Sequence, residues 1–413
     1  MIQMRYALLG VAAFGVVTGI GDRSVAAVAD GVSRPVLTEF IYQTTEGHPS
    51  LLAAEAALRA ARARARGRAK PLYNPELEVG YESAEVTTKE IGISQAFDWS
   101  GKRGARAAVG RAEVQGAEAQ YELAVKFLQT QILQALASFQ AARQERALAG
   151  ERVTLNEKFL SLTERRSHAG DVTRSELLTA ELALAEAKAT LFEAANALSI
   201  AEEQLIAVAG ERRQIWPQLT GAPPTTAGST VEASIEDLAE IRLALAQTEI
   251  SRAQIRVAKT DRIPDPTVGL RVGEEGRSTL VGLSISMPIP IRNSYRSEVV
   301  AAGADLAQAQ QGYFYLRQQI SARLEATKSR FLAADEAWRS WQAGGAAPLE
   351  EQRILLGELL NAREIGALDY LIQLNQTFAT ETASIELNER LWTAWFDWQD
   401  ANGSTREWLE KIQ

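Results

Sequence analysis

The sequence predicts a mainly α-helical fold with a small β part, made twice over. Three observations carry that expectation. Two short segments of alternating apolar and polar residues occur about 190 residues apart, and each is followed by very long helix-forming sequence, the signature of an internal structural repeat. The stretch from Lys102 to about Arg166 holds no proline and is dominated by helix formers, so a single helix there would reach ~100 Å at 1.5 Å per residue. Finally, leucines recur every seventh residue at Leu177, Leu184, Leu191, Leu198 and Leu205, the spacing of a coiled-coil seam.

The N-terminus sets the expected compartment. Arg5 precedes an apolar run from Ala7 to Ile20, and Ala27-Val28-Ala29 supplies the small-x-small pattern of a signal-peptidase site. Residues 1–29 are therefore expected to be a signal peptide, with export from the cytoplasm. No cysteine follows, so a lipid anchor on cysteine is excluded. Nothing later is apolar over the ~20 residues a membrane helix needs. A membrane-embedded part must then be made of strands.

Composition narrows the function further. Among 413 residues there are no cysteines and only His48 and His168, which excludes disulfides, thiolate metal sites and histidine-rich ones. A net charge of −8 with interleaved signs argues against nucleic acid as a partner. The run from Arg59 to Arg68 is the exception, and it fits a solvated helix face, or else contact with phosphate or lipid headgroups. No nucleophile–base pair, phosphate loop or metal-ligand cluster is visible, so catalytic, cofactor and metal sites are not expected.

The first hairpin, within about 74–99, places Leu77, Val79 and Tyr81 opposite Glu76, Glu78, Gly80 and Glu82, then continues through Ile91 and Ile93. The second, within about 265–290, places Val268, Leu270 and Val272 on one face, followed by Val281, Leu283, Ile285 and Met287, with Gly282, Ser284 and Ser286 between them. A period of two puts one apolar face outward and one polar face inward. Segments of about ten residues cross a bilayer when tilted. Tyr73, Tyr81, Phe97 and Trp99 are placed to form an interfacial girdle. Four strands cannot close a barrel, and lipid tolerates no open sheet edge, so this reading requires oligomerisation; three chains would supply twelve strands.

Ala180, Ala187, Ala194, Ala201 and Val208 mark the second seam position between the leucines. The second half answers with Leu371, Phe378, Ile385 and Trp392, again spaced by seven. Breaks at Ser167–Val172 and Arg363–Leu368 predict helical-hairpin tips in which Gly170 and Gly366 end a helix. The expected organisation is a first repeat over 30–216, a linker over 217–230 rich in Pro and Gly, and a second repeat over 231–413. Trp392, Trp395 and Trp398 share one helix side and are expected to pack.

Together these segments resemble the TolC-type outer-membrane factor family over nearly all of the chain after the signal segment. His48-Pro49-Ser50-Leu51 ahead of an Ala-rich helix and Asn74-Pro75 is similar to that family's opening. The run Phe97-Asp98-Trp99-Ser100-Gly101-Lys102-Arg103 is similar to its heavy-metal efflux branch, of the cobalt-zinc-cadmium type. The resemblance implies a homotrimer: a twelve-stranded β-barrel in the outer membrane, continued by an α-helical barrel across the periplasm. It implies a passive exit duct that docks with a periplasmic adaptor and an inner-membrane pump. By position it implies adaptor-docking tips at Gly170 and Val172, and at Gly366 and Leu368. Some relatives carry aspartates six and nine residues after the second tip glycine, where this chain has Ile372 and Asn375; Asp171 or Asp369 would then supply entrance charge. The competing reading is a periplasmic coiled-coil adaptor or scaffold without a pore, which explains the helices and leaves the repeated apolar strand face without a purpose.

Overall fold

The computed structural model describes residues 34–223, 234–362 and 365–411. The expected signal peptide and the second half of the expected linker, 224–230, lie outside them. In chain order come helices α1 (Arg34–Thr45) and α2 (Pro49–Arg68), strands β1 (Glu76–Ser83) and β2 (Thr87–Ala96), and helices α3 (Lys102–His168) and α4 (Arg174–Ala209). A 3-10 turn at Ile235–Asp237 then opens the second unit: α5 (Ala239–Asp261), β3 (Thr267–Glu275), β4 (Ser278–Ser286), α6 (Arg296–Gly344), α7 (Ala346–Ala362), α8 (Ala367–Asn402) and α9 (Thr405–Lys411).

Helix α3 runs unbroken for 67 residues, which spans ~100 Å. Its counterpart in the second unit is divided at Gly344–Gly345 into α6 and α7. Along α4 the alanine column packs deepest: Ala180 and Ala187 are fully buried against α3, while Leu177, Leu184, Leu191 and Leu198 remain half-buried. Small side chains let the two backbones approach, so the seam closes on alanine. Leu178, Leu182, Phe192 and Ile200 instead form a solvent-exposed apolar stripe along α4.

The main core lies at the middle of α3. There α1, the end of α4, Trp216 and Leu219, α6, the end of α8, and α9 surround Ile132, Leu133 and Leu136. Trp392, Trp395 and Trp398 are buried in it, with Phe331 stacked on Trp398 at 5.2 Å. An ion-pair set ties four helices at the same level: Lys126 Nζ lies 2.7 Å from Glu240 and 3.7 Å from Asp400, and Arg323 lies 3.0 Å from Glu240. Burial alone would raise the Glu240 pKa, but Lys126 and the hydrogen bonds hold it below the usual carboxylate value.

The four strands form one antiparallel sheet in the order β1-β2-β3-β4. The two hairpins are joined through β2 and β3, so β1 and β4 are left as free edges. No helix among the described residues is long and apolar enough to cross a membrane.

Candidate functional site

Register turns the alternating strands into continuous rows. Leu77 pairs with Ile93, Ile93 with Leu270, and Leu270 with Leu283; Val79, Ile91, Val272 and Val281 make the next row, and Val268 pairs with Ile285. Every one of these residues is exposed, from Val268 at 36% to Val79 at 76%, and Tyr81 is exposed beside them. The opposite face carries Glu76, Glu78, Glu82, Glu90 and Glu275 against the single guanidinium of Arg271, with Ser94, Ser284 and glycines between. Ser94 Oγ donates to Glu78 at 3.0 Å, and Arg271 Nη1 lies 3.4 Å from Glu90. A Cβ on Gly273 would come 2.2 Å from the Lys89 carbonyl oxygen, so the β2 backbone approaches too closely there for any other residue.

Below the sheet, the run from Phe97 to Arg103 makes the joint between β2 and α3. The Asp98 carboxylate accepts three backbone N–H groups, from Gly101 at 2.9 Å, Lys102 at 2.8 Å and Arg103 at 2.7 Å. Burial would raise its pKa, yet those three donors together hold it below the usual value. Trp99 Nε1 donates to the Pro264 carbonyl at 2.8 Å and Ser100 Oγ to that of Thr260 at 3.3 Å. Lys102 is buried and donates to Asp265 Oδ2 at 2.8 Å, an oxygen that also accepts from the Tyr73 hydroxyl at 2.6 Å. That bond and burial push the Tyr73 pKa up to about 12. Tyr73 is thus tied to Asp265, unlike a girdle residue, while Phe97 and Trp99 are exposed. The joint in the second unit is built alike: Asn293 Oδ1 accepts the N–H of Tyr295, whose φ of 52° is left-handed, just before α6 begins.

At the far ends of the helices stand the two tips. Gly170 has φ 80°, the left-handed geometry of a helix C-terminus, and Asp171 N donates to the Arg166 carbonyl at 2.9 Å. Thr173 and Glu176 then cap α4 reciprocally. Gly366 departs from expectation. It begins α8 as its N-cap, with φ −67° and ψ 150°, and accepts the Tyr370 N–H at 2.9 Å. The chain therefore needs no left-handed residue at Gly366, because it enters a helix there and does not leave one. Arg363 and Glu364, expected within this tip, lie outside the described residues. Gly170, Asp171, Gly366, Leu368 and Asp369 are exposed and Val172 is half-buried. The tips share one end of the molecule, since Phe159 of α3 stacks on Tyr370 of α8 at 5.0 Å within a common cluster. Asn375 accepts from Arg152 at 3.0 Å, which also reaches Glu186 at 2.8 Å, and Ile372 is exposed. Among the described residues no group of His, Cys, Asp and Glu is arranged to hold a metal ion.

A sheet with one apolar and one polar face and open edges, joined to long helices of which α3 reaches ~100 Å, defines the class: one protomer of a channel whose barrel passes through a bilayer as strands and continues as helices. Residues 40–211 match the model of the family described as "Outer membrane efflux protein". The chain is similar to the nickel-cobalt-cadmium resistance protein NccC of Alcaligenes xylosoxydans xylosoxydans, with 26% identity over 73% of this chain and 71% of that protein. It is similar also to the cobalt-zinc-cadmium resistance protein CzcC of Cupriavidus metallidurans, with 23% identity over 72% of each. The fold is that of the outer membrane protein VceC from Vibrio cholerae, with a TM-score of 0.72 at 18% identity, covering 89% of this chain and 96% of that one. The protein is accordingly a non-enzymatic outer-membrane efflux channel with a periplasmic helical extension, and channels of this family work as trimers in tripartite efflux systems.

Part of this joint is legible in the sequence. Asp98 stands three to five residues ahead of three unpaired helix N–H groups, a capping position, whereas the Lys102–Asp265 pair joins residues 163 apart and no local pattern announces it.

Proposed function

We propose that three copies of this chain close a twelve-stranded barrel, that the duct docks through its helical tips on a periplasmic adaptor served by an inner-membrane pump, and that it passes divalent heavy-metal cations. The observation that carries the assembly is the pair of free edges, β1 and β4, flanking a sheet whose whole apolar face is exposed; lipid permits that face and forbids those edges. The exposed stripe of Leu178, Leu182, Phe192 and Ile200 on α4 offers the helical part a matching contact between copies.

The metal reading is supported by the names of the two relatives and by the five carboxylates against one arginine on the polar strand face. With three copies that lining favours cations at the exit. Gly170, Val172, Gly366 and Leu368 form the docking surface, with Asp171 and Asp369 as charge at the entrance. The two repeats, 30–216 and 231–413, then contribute equivalent walls of the duct. Replacing Gly366 with Trp tests the tips: adaptor cross-linking and resistance to cobalt, zinc and cadmium are expected to fall, while the variant still purifies as three protomers. Unchanged cross-linking and resistance would remove the tip assignment, and a deletion strain with unaltered metal resistance would remove the cargo.

A further inference from the structure

The helix ends next to the sheet carry a charge the rest of the chain does not. Across residues 59–70, 101–112, 252–263 and 288–299 there are sixteen Lys or Arg and two carboxylates, Asp261 and Glu298, whereas the whole chain has 44 basic and 52 acidic residues. These four segments are the end of α2, the start of α3, the end of α5 and the approach to α6. Each lies at the end of its helix that leads into or out of the sheet. Both repeats contribute, so the segregation occurs twice. On α2 the side chains of Arg59, Arg62 and Arg66 share one face, with Lys70 just past the helix end, and on α5 Arg252, Arg256 and Lys259 share one. Some of this charge is spent internally: Arg62 on Glu118, Arg68 on Glu113, Arg106 on Asp261 and Lys102 on Asp265. Arg66, Lys70, Arg256, Lys259, Arg292 and Arg296 are all exposed, and none has a carboxylate partner among the described residues.

We propose that this basic collar binds the headgroups of anionic phospholipids in the periplasmic leaflet of the outer membrane. The inference rests on the reading that the apolar strand rows face lipid. Order along the axis carries it: the apolar rows give way to exposed Phe97, Trp99, Met287, Ile289 and Ile291, and the unpaired cations follow at once, where headgroup phosphates meet the hydrocarbon edge. The collar also accounts for the arginine run ahead of the first hairpin. Its charge anchors the height of the barrel in the bilayer, a task that the apolar rows alone leave free to slide.

The test is native mass spectrometry of the detergent-purified protein, titrated with phosphatidylglycerol or with phosphatidylcholine of the same chains. Phosphatidylglycerol is expected to bind about tenfold more tightly, a preference that a few exposed cations near a bilayer can supply. Arg66→Gln, Lys70→Gln, Arg256→Gln, Lys259→Gln, Arg292→Gln and Arg296→Gln combined should abolish the preference, and a variant carrying Lys at the four arginines should keep it. Equal binding of both lipids by the native protein, or a preference that survives the glutamine variant, would overturn the collar. So would displacement of phosphatidylglycerol by millimolar inorganic phosphate, which would assign the cations to a free anion. A detergent-requiring trimer without lipid preference sinks the collar alone, whereas a chain soluble without detergent sinks the barrel and the collar together.

Discussion

Lys102 and Asp265 show how much of the molecule's rigidity rests on single side chains. Their side chains are 8% and 5% exposed, and the lysine leads α3 while the aspartate stands just ahead of β3, so the pair bolts the first long helix to the second hairpin. Asp265 Oδ1 is already buried without a partner, so loss of Lys102 leaves the Tyr73 hydroxyl as the carboxylate's remaining side-chain donor among the described residues. Lys102→Met is expected to cost about 3–5 kcal/mol, since it strands a buried carboxylate. Lys102→Met combined with Asp265→Leu should recover most of that loss, as the uncompensated charge goes too. Thermal unfolding followed by circular dichroism in detergent measures both. Asp98 acts on the same joint, and Asp98→Ala is expected to cost about 1–2 kcal/mol by releasing three helix N–H groups. Its folded pKa lies below the ordinary 3.8. Its contribution is therefore fully present above that value and is lost as the pH falls through the lower folded one. The difference between native and Asp98→Asn stabilities should hold constant from pH 7 to about pH 5 and shrink only in strong acid.

Helices and hairpins were legible in the sequence to the extent that their signals are local. Proline-free helix formers gave α3 to within two residues of its end, and strict alternation from Leu77 to Tyr81 and from Val281 to Ile285 gave the strand faces. The pairing of β2 with β3 was not legible, because Ile93 and Leu270 meet across 177 residues and both would fit other partners. The exposed stripe on α4 was hidden for another reason: Leu182 and Phe192 fall between the leucine heptads, and a two-position seam model has no place for a third face. Gly366 misled because glycine suits both a helix end and a helix start. Contacts between elements also set a titration that no single segment shows. Burial, with Glu386 and Glu389 of α8 nearby, raises the pKa of Glu145 on α3 above 4.5. A raised acid pKa means the folded state holds its proton longer, so Glu145 contributes stability below pH 4.5 that is lost as pH rises through the folded value. Glu145→Gln is expected to stabilise the protein at pH 7 by about 1 kcal/mol or less. The two proteins should converge near pH 4, as read by unfolding temperature across a pH series.

At the scale of the whole molecule, the chain makes sense only as a fraction of something larger. A monomer in water would expose the rows from Leu77 to Leu283 and from Val79 to Val281, a contiguous apolar patch of a kind soluble monomers seldom carry. It would also offer β1 and β4 as bare edges, which invite pairing with another chain. Membrane insertion resolves the first problem and closure by neighbouring copies the second, and neither suffices alone. Adjacent residues on one strand separate the two faces cleanly. Leu283 is 72% exposed on the apolar side, whereas Ser284 points to the polar side and donates weakly to Gly269 at 3.5 Å. Leu283→Arg should cost about 2–4 kcal/mol if that side chain meets the bilayer near its midplane. Such a loss would appear as a sharply reduced yield of detergent-extracted trimer from outer membranes. Ser284→Arg places the same cation on the polar face, where it meets water on the side that carries the carboxylates, so trimer yield should match the native protein while conductance for cations falls. Equal trimer yields from the two variants would mean that neither face sees lipid, and the sheet would then have to lie outside the membrane.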